Sequence, residues 1–335
     1  MTVALDPRPV PEDDSNGIAP VHPETLPHRW TLHGLNNGAI FSATYRGVRT
    51  LPRAASYAIA RAGTWIAWRS MQGSRQALVE NLAAVFPDES VSSLERRALI
   101  TLRSYAIDVI DFLRALSTRP EQAPAVFDVS NPGYREMFES LRARGRGIII
   151  VTAHYGNWEA GSILVRRLLD MPLTIVAMTE ADPTVNRIRR EIRESLGAET
   201  IEVRQSLDTA LQIRRRLAGN HIVAMLIDRH YGRDRVPVTL FGRAAWFLRT
   251  PLLMGYLTGA AVVPCFIERT GPGRFSAHPG DPIILDPALP RDDAISRAAQ
   301  RIADDVAERV RAHPEFWYQF YRYWDAQRDE YEGLR

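Results

Sequence analysis

Apolar runs of strand length alternate with helical segments in the second half of the sequence. We predict strands at residues 147–153, 174–179, 199–204, 221–227 and 261–268. Strands separated by helices favour a mainly parallel sheet with helices on both faces. The runs are continuously apolar rather than alternating, which indicates that both faces of the sheet are buried. Pro264 interrupts the last run, so we expect that strand to lie at an edge or a bulge, or to be shorter.

The first half of the sequence has helical spacing instead. Residues 1–30 are rich in proline and polar side chains and are predicted to be a disordered tail. We predict a single domain over residues 31–335, with N-terminal helices at 31–130 and an α/β core at 131–335. The helical patterns include two helices within 73–118 and single helices at 133–144 and 291–312.

Composition adds two constraints. The sequence contains no lysine, so arginine supplies all 42 basic side chains of a chain with net charge +3. Guanidinium groups present planar pairs of donors that suit phosphates and carboxylates. The single cysteine, Cys265, excludes an internal disulfide and fits a reducing compartment.

Residues 35–72 combine tryptophan, isoleucine and arginine in one helical stretch. This pattern fits two structures equally: a helix that packs within the domain, or an interfacial helix with aromatics at the level of lipid headgroups. The sequence has no apolar run of the roughly 18 residues that a membrane-spanning helix needs. We therefore expect a chain that is cytosolic or lies on the cytosolic face of a membrane.

The most informative stretch is GRGIIIVTAHYGNWEAGS, residues 145–162. A buried strand ends at a corner that carries His154, and Glu159 follows five residues later. Sites in open α/β sheets form beyond the carboxyl ends of the strands. If the Gly156 turn folds Glu159 back onto the imidazole, the pair forms a general base with no nucleophilic serine beside it. Main-chain N–H groups around Asn157 and Trp158 are candidates for binding developing negative charge.

Several ordered segments resemble the bacterial lipid A biosynthesis (late, secondary) acyltransferases, a family within the lysophospholipid and glycerolipid acyltransferase superfamily. The resemblance runs from about residue 50 to 325. It is carried by ARGRGIIIVTAHYGNWE with its H-x4-E motif, LVENLAAVFPDES, DRHYGRDRVPVTLFG, AAVVPCFIER and HPEFWYQFYRYWD. The family fold is a mixed, mostly parallel sheet flanked by helices, in agreement with the predicted strands.

The resemblance also implies roles for individual residues. His154 matches the general base and Glu159 its acidic partner, while Asp228 matches an acidic residue of the site. Arg193 is the best match for a site arginine, with Arg189 and Arg190 as rivals because one sequence does not fix the register. A metal site of His230 with His154, Glu159 and Asp228 has suitable ligand types, but nothing else in the sequence supports it, and we predict neither metal nor cofactor.

The resemblance implies an O-acyltransferase. The donor is an acyl thioester of acyl carrier protein or coenzyme A, the acceptor is a hydroxyl of a membrane glycolipid, and no acyl-enzyme forms. A lipid A-type precursor is the first expected acceptor. A phosphatidylinositol mannoside or a lysophospholipid is the alternative. We expect a peripheral location on the cytoplasmic face of the inner membrane and no nucleic-acid partner. A non-catalytic lipid-binding protein that keeps the fold is the alternative from another class.

Overall fold

The computed structural model describes residues 38–115, 123–128, 133–180, 182–203, 207–230 and 232–325. The tail predicted at residues 1–30 lies outside these ranges. The described chain is α/β, as the apolar runs predict.

Helices form the N-terminal part of the described chain. Pro52 separates the first two helices, because its ring fixes the backbone in an extended conformation at the start of the second. Pro87 follows the end of the third helix. The helices are α1 (Gly38–Thr50), α2 (Arg53–Ser70), α3 (Gln72–Val85), α4 (Val91–Ala115), the short α5 (Ala123–Val126) and α6 (Gly133–Ala143).

A seven-stranded sheet forms the centre of the α/β part, in the order β1-β9-β8-β2-β5-β3-β4. All neighbouring strands run parallel except β8 and β9, so the sheet is mixed and mostly parallel. The strands are β1 (Phe127–Asp128), β2 (Ile148–Thr152), β3 (Leu173–Ala177), β4 (Ala198–Glu202), β5 (Ile222–Leu226), β8 (Ala261–Gly271) and β9 (Arg274–Pro279).

Helices connect these strands and cover the sheet. Ile149 and Val151 of β2 belong to one apolar cluster, and Ile148 and Ile150 belong to a second on the opposite face. Burial on both faces explains why the predicted strands lack polar alternation. The connecting helices are α7 (Gly161–Ile163), which continues into a π-helical turn, α8 (Pro183–Ser195), α9 (Leu207–Ala218), α10 (Thr250–Thr258) and α11 (Arg291–Ala312).

The prediction that Pro264 marks an edge, a bulge or a shortened strand is wrong. Strand β8 lies inside the sheet between β9 and β2, and Pro264 is paired in register with Val151. The reason is local. Pro264 lies where the pairing with β9 ends, and its carbonyl oxygen accepts the Gly280 N–H at 2.8 Å. Its missing N–H therefore removes little from the sheet.

The apolar pattern also missed four strands, because each is short or carries polar residues. They are the two-residue β1, the edge-proximal β9, and the antiparallel hairpin of β6 (Arg235–Leu240) and β7 (Arg243–Leu248). Helix α11 packs against β6 and α10 and supplies much of the core on that face. No helix within the described ranges has both the length and the apolar character to cross a membrane.

We predict that Gly156→Ala destabilises the fold through a steric clash at the corner after β2. Gly156 has φ +58°, and a Cβ there would overlap the carbonyl oxygen of Ile267. Gly145→Ala is the matched control, because Gly145 has φ +65° but open space around its Cα. The control variant should be destabilised by roughly 1–2 kcal/mol, the cost of a left-handed backbone conformation for a residue with a Cβ. Urea unfolding should show a larger loss for Gly156→Ala; equal losses would contradict the clash.

Candidate active site

His154 and Asp228 meet because β2 and β5 are parallel neighbours. Thr152, the last residue of β2, is paired with Leu226, the last residue of β5. His154 and Asp228 each follow two residues later, so the same strand geometry carries both beyond the carboxyl edge of the sheet. His154 Nδ1 lies 2.7 Å from Asp228 Oδ1, and the His154 main-chain N–H donates to Oδ2 at 3.0 Å.

The environment of this pair fixes its protonation. Burial raises the pKa of Asp228, but its contacts with His154 and the nearby charge of Arg229 together outweigh burial and hold that pKa below the ordinary value. The carboxylate is therefore ionised and accepts only, so Nδ1 of His154 carries the hydrogen and Nε2 carries the lone pair. The His154 side chain is 16% exposed and the Asp228 side chain 1% exposed, so the imidazole is reachable while its partner is not.

The imidazole is neutral when it faces a substrate near neutral pH. Burial and the positive charge of Arg229 lower the pKa of His154, although Asp228 and Glu180 act in the opposite direction. A neutral imidazole with a free lone pair on Nε2 is the form that takes a proton from a hydroxyl. The Trp158 ring lies edge-on to the imidazole at 5.4 Å between centroids and limits its position.

The structure corrects the predicted contact between Glu159 and His154. Glu159 begins a different network on α8, where Arg193 Nε donates to Oε2 at 3.1 Å and Arg189 Nη1 donates to Oε1 at 3.2 Å. The 3₁₀ turn at Trp158–Ala160 faces Glu159 towards α8 rather than back to the corner. The carboxylate on the imidazole is that of Asp228, 74 residues further along the chain.

The Glu159 network is buried and ionised. Burial raises the pKa of Glu159, but the two guanidinium groups outweigh it and hold that pKa below the ordinary range. The Arg193 side chain is 11% exposed and also donates through Nη2. Of the three arginines predicted for the site, Arg189 and Arg193 therefore contact Glu159. Arg190 instead pairs with Glu202 on β4 and is half exposed.

The predicted anion-binding role of the Asn157 main-chain N–H is also wrong, whereas that of the Trp158 N–H stays a prediction. The Asn157 N–H donates to the Ile267 carbonyl at 3.0 Å, and the Gly156 N–H donates to the Phe316 carbonyl at 2.8 Å. These bonds hold the corner against β8 and the C-terminal segment. The Asn157 side chain caps the 3₁₀ turn by accepting the Ala160 N–H.

Sequence reasoning missed a third buried acid, which supports the corner. Asp108 on α4 accepts Arg269 Nε at 2.9 Å and the Tyr318 hydroxyl, and its carbonyl oxygen accepts Asn157 Nδ2 at 3.0 Å. Burial raises the pKa of Asp108 to about 6, against the opposing charge of Arg269. The available signal was the apolar stretch AIDVIDF, in which an acidic residue on a buried helix face needs a partner.

Sequence reasoning also missed Gln319, whose amide donates to Asp228 Oδ2 at 2.7 Å. The signal was an uncharged amide side chain inside the aromatic run FWYQFYRYW. Cys265 is buried, which raises the pKa of its thiol to about 12 and keeps it protonated. The His230 Nδ1–H donates to the Gly232 carbonyl oxygen at 3.3 Å. The described residues contain no group of three or more His, Cys, Asp or Glu side chains placed to hold a metal ion.

The chain belongs to the bacterial lipid A biosynthesis acyltransferase family, whose profile matches residues 32–326. It is an acyltransferase, and its substrates are an acyl donor and a lipid acceptor. It is 28% identical over 309 residues to the phosphatidylinositol mannoside acyltransferase of Mycolicibacterium smegmatis, covering 90% of this chain and 96% of that protein. The phosphatidylinositol mannoside acyltransferase of Mycobacterium tuberculosis is 27% identical over 295 residues, covering 87% and 89%.

We predict that His154 titrates below its ordinary pKa of 6.5 and that Arg229→Gln raises that pKa. Removing the nearby positive charge makes the imidazolium form less unfavourable. NMR titration of the ¹⁵N-labelled imidazole measures both values without any substrate. Arg166→Gln is the control, because it removes an arginine that donates to the Met171 carbonyl oxygen rather than to a group of the His154–Asp228 pair. A wild-type pKa above 6.5, or one that Arg229→Gln leaves unchanged, would contradict this account.

Proposed function

We propose that the protein transfers a fatty acyl group from a thioester to a hydroxyl of a membrane glycolipid, with His154 as the general base. The observation that carries the proposal is the 2.7 Å contact of His154 Nδ1 with the buried Asp228 carboxylate, in a chain of an acyltransferase family. The contact turns Nε2 outward as a base and provides a negative charge for the imidazolium that forms.

The reaction proceeds in one acyl transfer. Nε2 of His154 removes the acceptor hydroxyl proton as the oxygen attacks the thioester carbonyl. The tetrahedral adduct then collapses, the carbon–sulfur bond breaks, and the imidazolium returns its proton to the leaving thiolate. Asp228 stabilises the imidazolium during the two proton transfers. The step forms no acyl-enzyme and uses no metal or cofactor. A positioned base of this kind contributes about 10²–10⁴-fold to the rate.

Glu159 acts indirectly in this proposal. It joins the 3₁₀ turn after the corner to α8 through Arg193 and Arg189, so it sets the distance between these two parts of the site. Direct substrate contact by Arg189, Arg190 or Arg193 remains a prediction from the family resemblance.

A phosphatidylinositol mannoside is the favoured acceptor. The relatives with that activity in their names align with about nine-tenths of this chain. A lipid A-type precursor is the second candidate, and the family to which the chain belongs supports it. A lysophospholipid is the third. Acyl carrier protein and coenzyme A both present the thioester that the chemistry requires, so both are candidate donors.

We expect His154→Ala to lower the turnover number about 10²–10⁴-fold, because the hydroxyl then lacks its base. Purified protein would be incubated with palmitoyl thioesters of acyl carrier protein and of coenzyme A. Each donor is combined with each of the three acceptors, with thiol release and the mass of the lipid product as readouts. His221→Ala is the matched control, since His221 precedes β5 at the opposite end of the same strand and contacts Thr174.

Retained turnover in a folded His154→Ala protein would overturn the base assignment. Circular dichroism and thermal unfolding establish that the variant is folded. Acylation of the lipid A precursor but not of the phosphatidylinositol mannoside would make the lipid A precursor the favoured acceptor. Binding of lipid without any product, in every combination, would favour the non-catalytic lipid-binding alternative instead.

Helices α1 and α2 support the proposed peripheral attachment to the cytoplasmic face of the inner membrane. Residues 38–71 contain no acidic residue, and their arginines are at positions 46, 49, 53, 61 and 69. On α2, Ile59 and Ile66 are 61% and 63% exposed and lie seven residues apart, on one helix face. Trp65 is also exposed, and the Arg69 guanidinium lies over its ring. This combination suits an anionic lipid surface.

We predict that the double variant Ile59→Asp/Ile66→Asp loses binding to vesicles of phosphatidylcholine and phosphatidylinositol. Full burial of one isoleucine side chain contributes about 1.5–3 kcal/mol of binding free energy. The vesicle affinity should therefore fall more than tenfold. Cosedimentation measures it. Leu211→Asp on α9 is the control for an added charge on an exposed apolar site. Equal binding by wild type and the double variant would remove this surface from the proposal.

A further inference from the structure

The segment after α11 passes directly beneath the His154–Asp228 pair. The Tyr318 N–H donates to the His154 carbonyl oxygen at 2.8 Å. The Tyr323 hydroxyl donates to the Asp228 carbonyl oxygen, also at 2.8 Å. Gln319, which lies between Tyr318 and Tyr323 in the sequence, is completely buried. This segment therefore forms hydrogen bonds to the main-chain carbonyl oxygens of both His154 and Asp228. It also places one neutral amide beside the Asp228 carboxylate.

The amide of Gln319 has a fixed orientation. Its Oε1 accepts Arg229 Nη2 at 3.0 Å and the Tyr321 hydroxyl at 2.6 Å. Because both donors occupy the oxygen, the NH₂ group must lie on the opposite side, where Nε2 donates to Asp228 Oδ2 at 2.7 Å. The main chain is held as well, since Asn81 Nδ2 on α3 donates to the Gln319 carbonyl at 3.0 Å.

This arrangement separates two opposite charges that follow each other in sequence. Arg229 is the residue after Asp228, and an arginine close to a buried carboxylate tends to form a direct ion pair. Such a pair would neutralise the charge that Asp228 presents to the imidazole. The Gln319 amide lies between them with its negative end on the guanidinium and its positive end on the carboxylate. The Tyr321 ring, 4.8 Å from the Arg229 guanidinium, holds that group on the far side.

We propose that Gln319 is a positioning residue for acyl transfer: it keeps Arg229 away from Asp228 and so reserves that carboxylate for His154. The role rests on the proposed function of His154 as the base. The charged groups that bear on the imidazole are Asp228, Arg229 and Glu180. Gln319 contacts the first two, through opposite ends of one amide.

The test first removes the Gln319 amide and then also the positive charge of Arg229. Gln319→Leu keeps a similar volume but leaves no polar group between Arg229 and Asp228. We expect the turnover number to fall at least about tenfold with KM little changed, because orientation of the base is lost rather than substrate binding. The pKa of His154 should fall below the wild-type value, since its carboxylate is then neutralised by the guanidinium.

Removal of Arg229 distinguishes this role from simple packing. In the double variant Gln319→Leu/Arg229→Gln, no cation is left to compete for Asp228, so turnover and the pKa of His154 should recover most of the loss. Gln212→Leu is the matched control, because Gln212 also donates to an aspartate, at 2.7 Å from Asp208, on the exposed face of α9. A double variant as impaired as Gln319→Leu, or an unchanged pKa in Gln319→Leu, would overturn the proposal.

A second variant covers the case in which Gln319→Leu does not fold. Gln319→Glu places a negative charge against both Asp228 and Arg229, and the pKa of His154 should then rise above wild type. No rise would contradict the placement. The NMR titration needs no substrate, so its result is separate from the proposed function. If the pKa shifts occur but His154→Ala retains turnover, the charge separation stands and the base assignment fails.

Discussion

The parallel pairing of β2 with β5 is the constraint on which the site depends. It places Thr152 beside Leu226, and equal two-residue extensions then bring His154 and Asp228 into contact. The sequence distance between these two residues is irrelevant to that meeting. What matters is that both strands pack on both faces of the sheet, so that close packing of their side chains holds their register. The packing that stabilises the sheet core therefore also sets the geometry of the base.

Buried charge organises the rest of the site. Each carboxylate near the corner has its own cation or donor: Asp228 has His154, Glu159 has Arg193, and Asp108 has Arg269. Ion pairs of this kind are costly to bury and very costly to leave incomplete. They consequently tie α4, α8, β8 and the C-terminal segment to one corner. The absence of lysine from the sequence fits this use, since guanidinium groups form planar paired contacts.

The long apolar runs were sufficient to predict the parallel centre of the sheet and the helices around it. They were insufficient for β1, β6, β7 and β9, whose residues are partly exposed and whose pairing is long-range or antiparallel. The same division holds at the site. His154 could be predicted from its place at a strand end. Its carboxylate partner was predicted to be Glu159, because local spacing suggested that residue. The true partner, Asp228, required the strand order, which local patterns do not contain.

The central claim is that Asp228 orients the neutral imidazole of His154 so that Nε2 carries the lone pair. The ¹⁵N chemical shifts of the two ring nitrogens, measured above pH 6.5, report the tautomer directly. The account predicts a protonated Nδ1 and an unprotonated Nε2 in the wild type. A neutral imidazole with its hydrogen on Nε2 would contradict it, because no base would then face the acceptor hydroxyl.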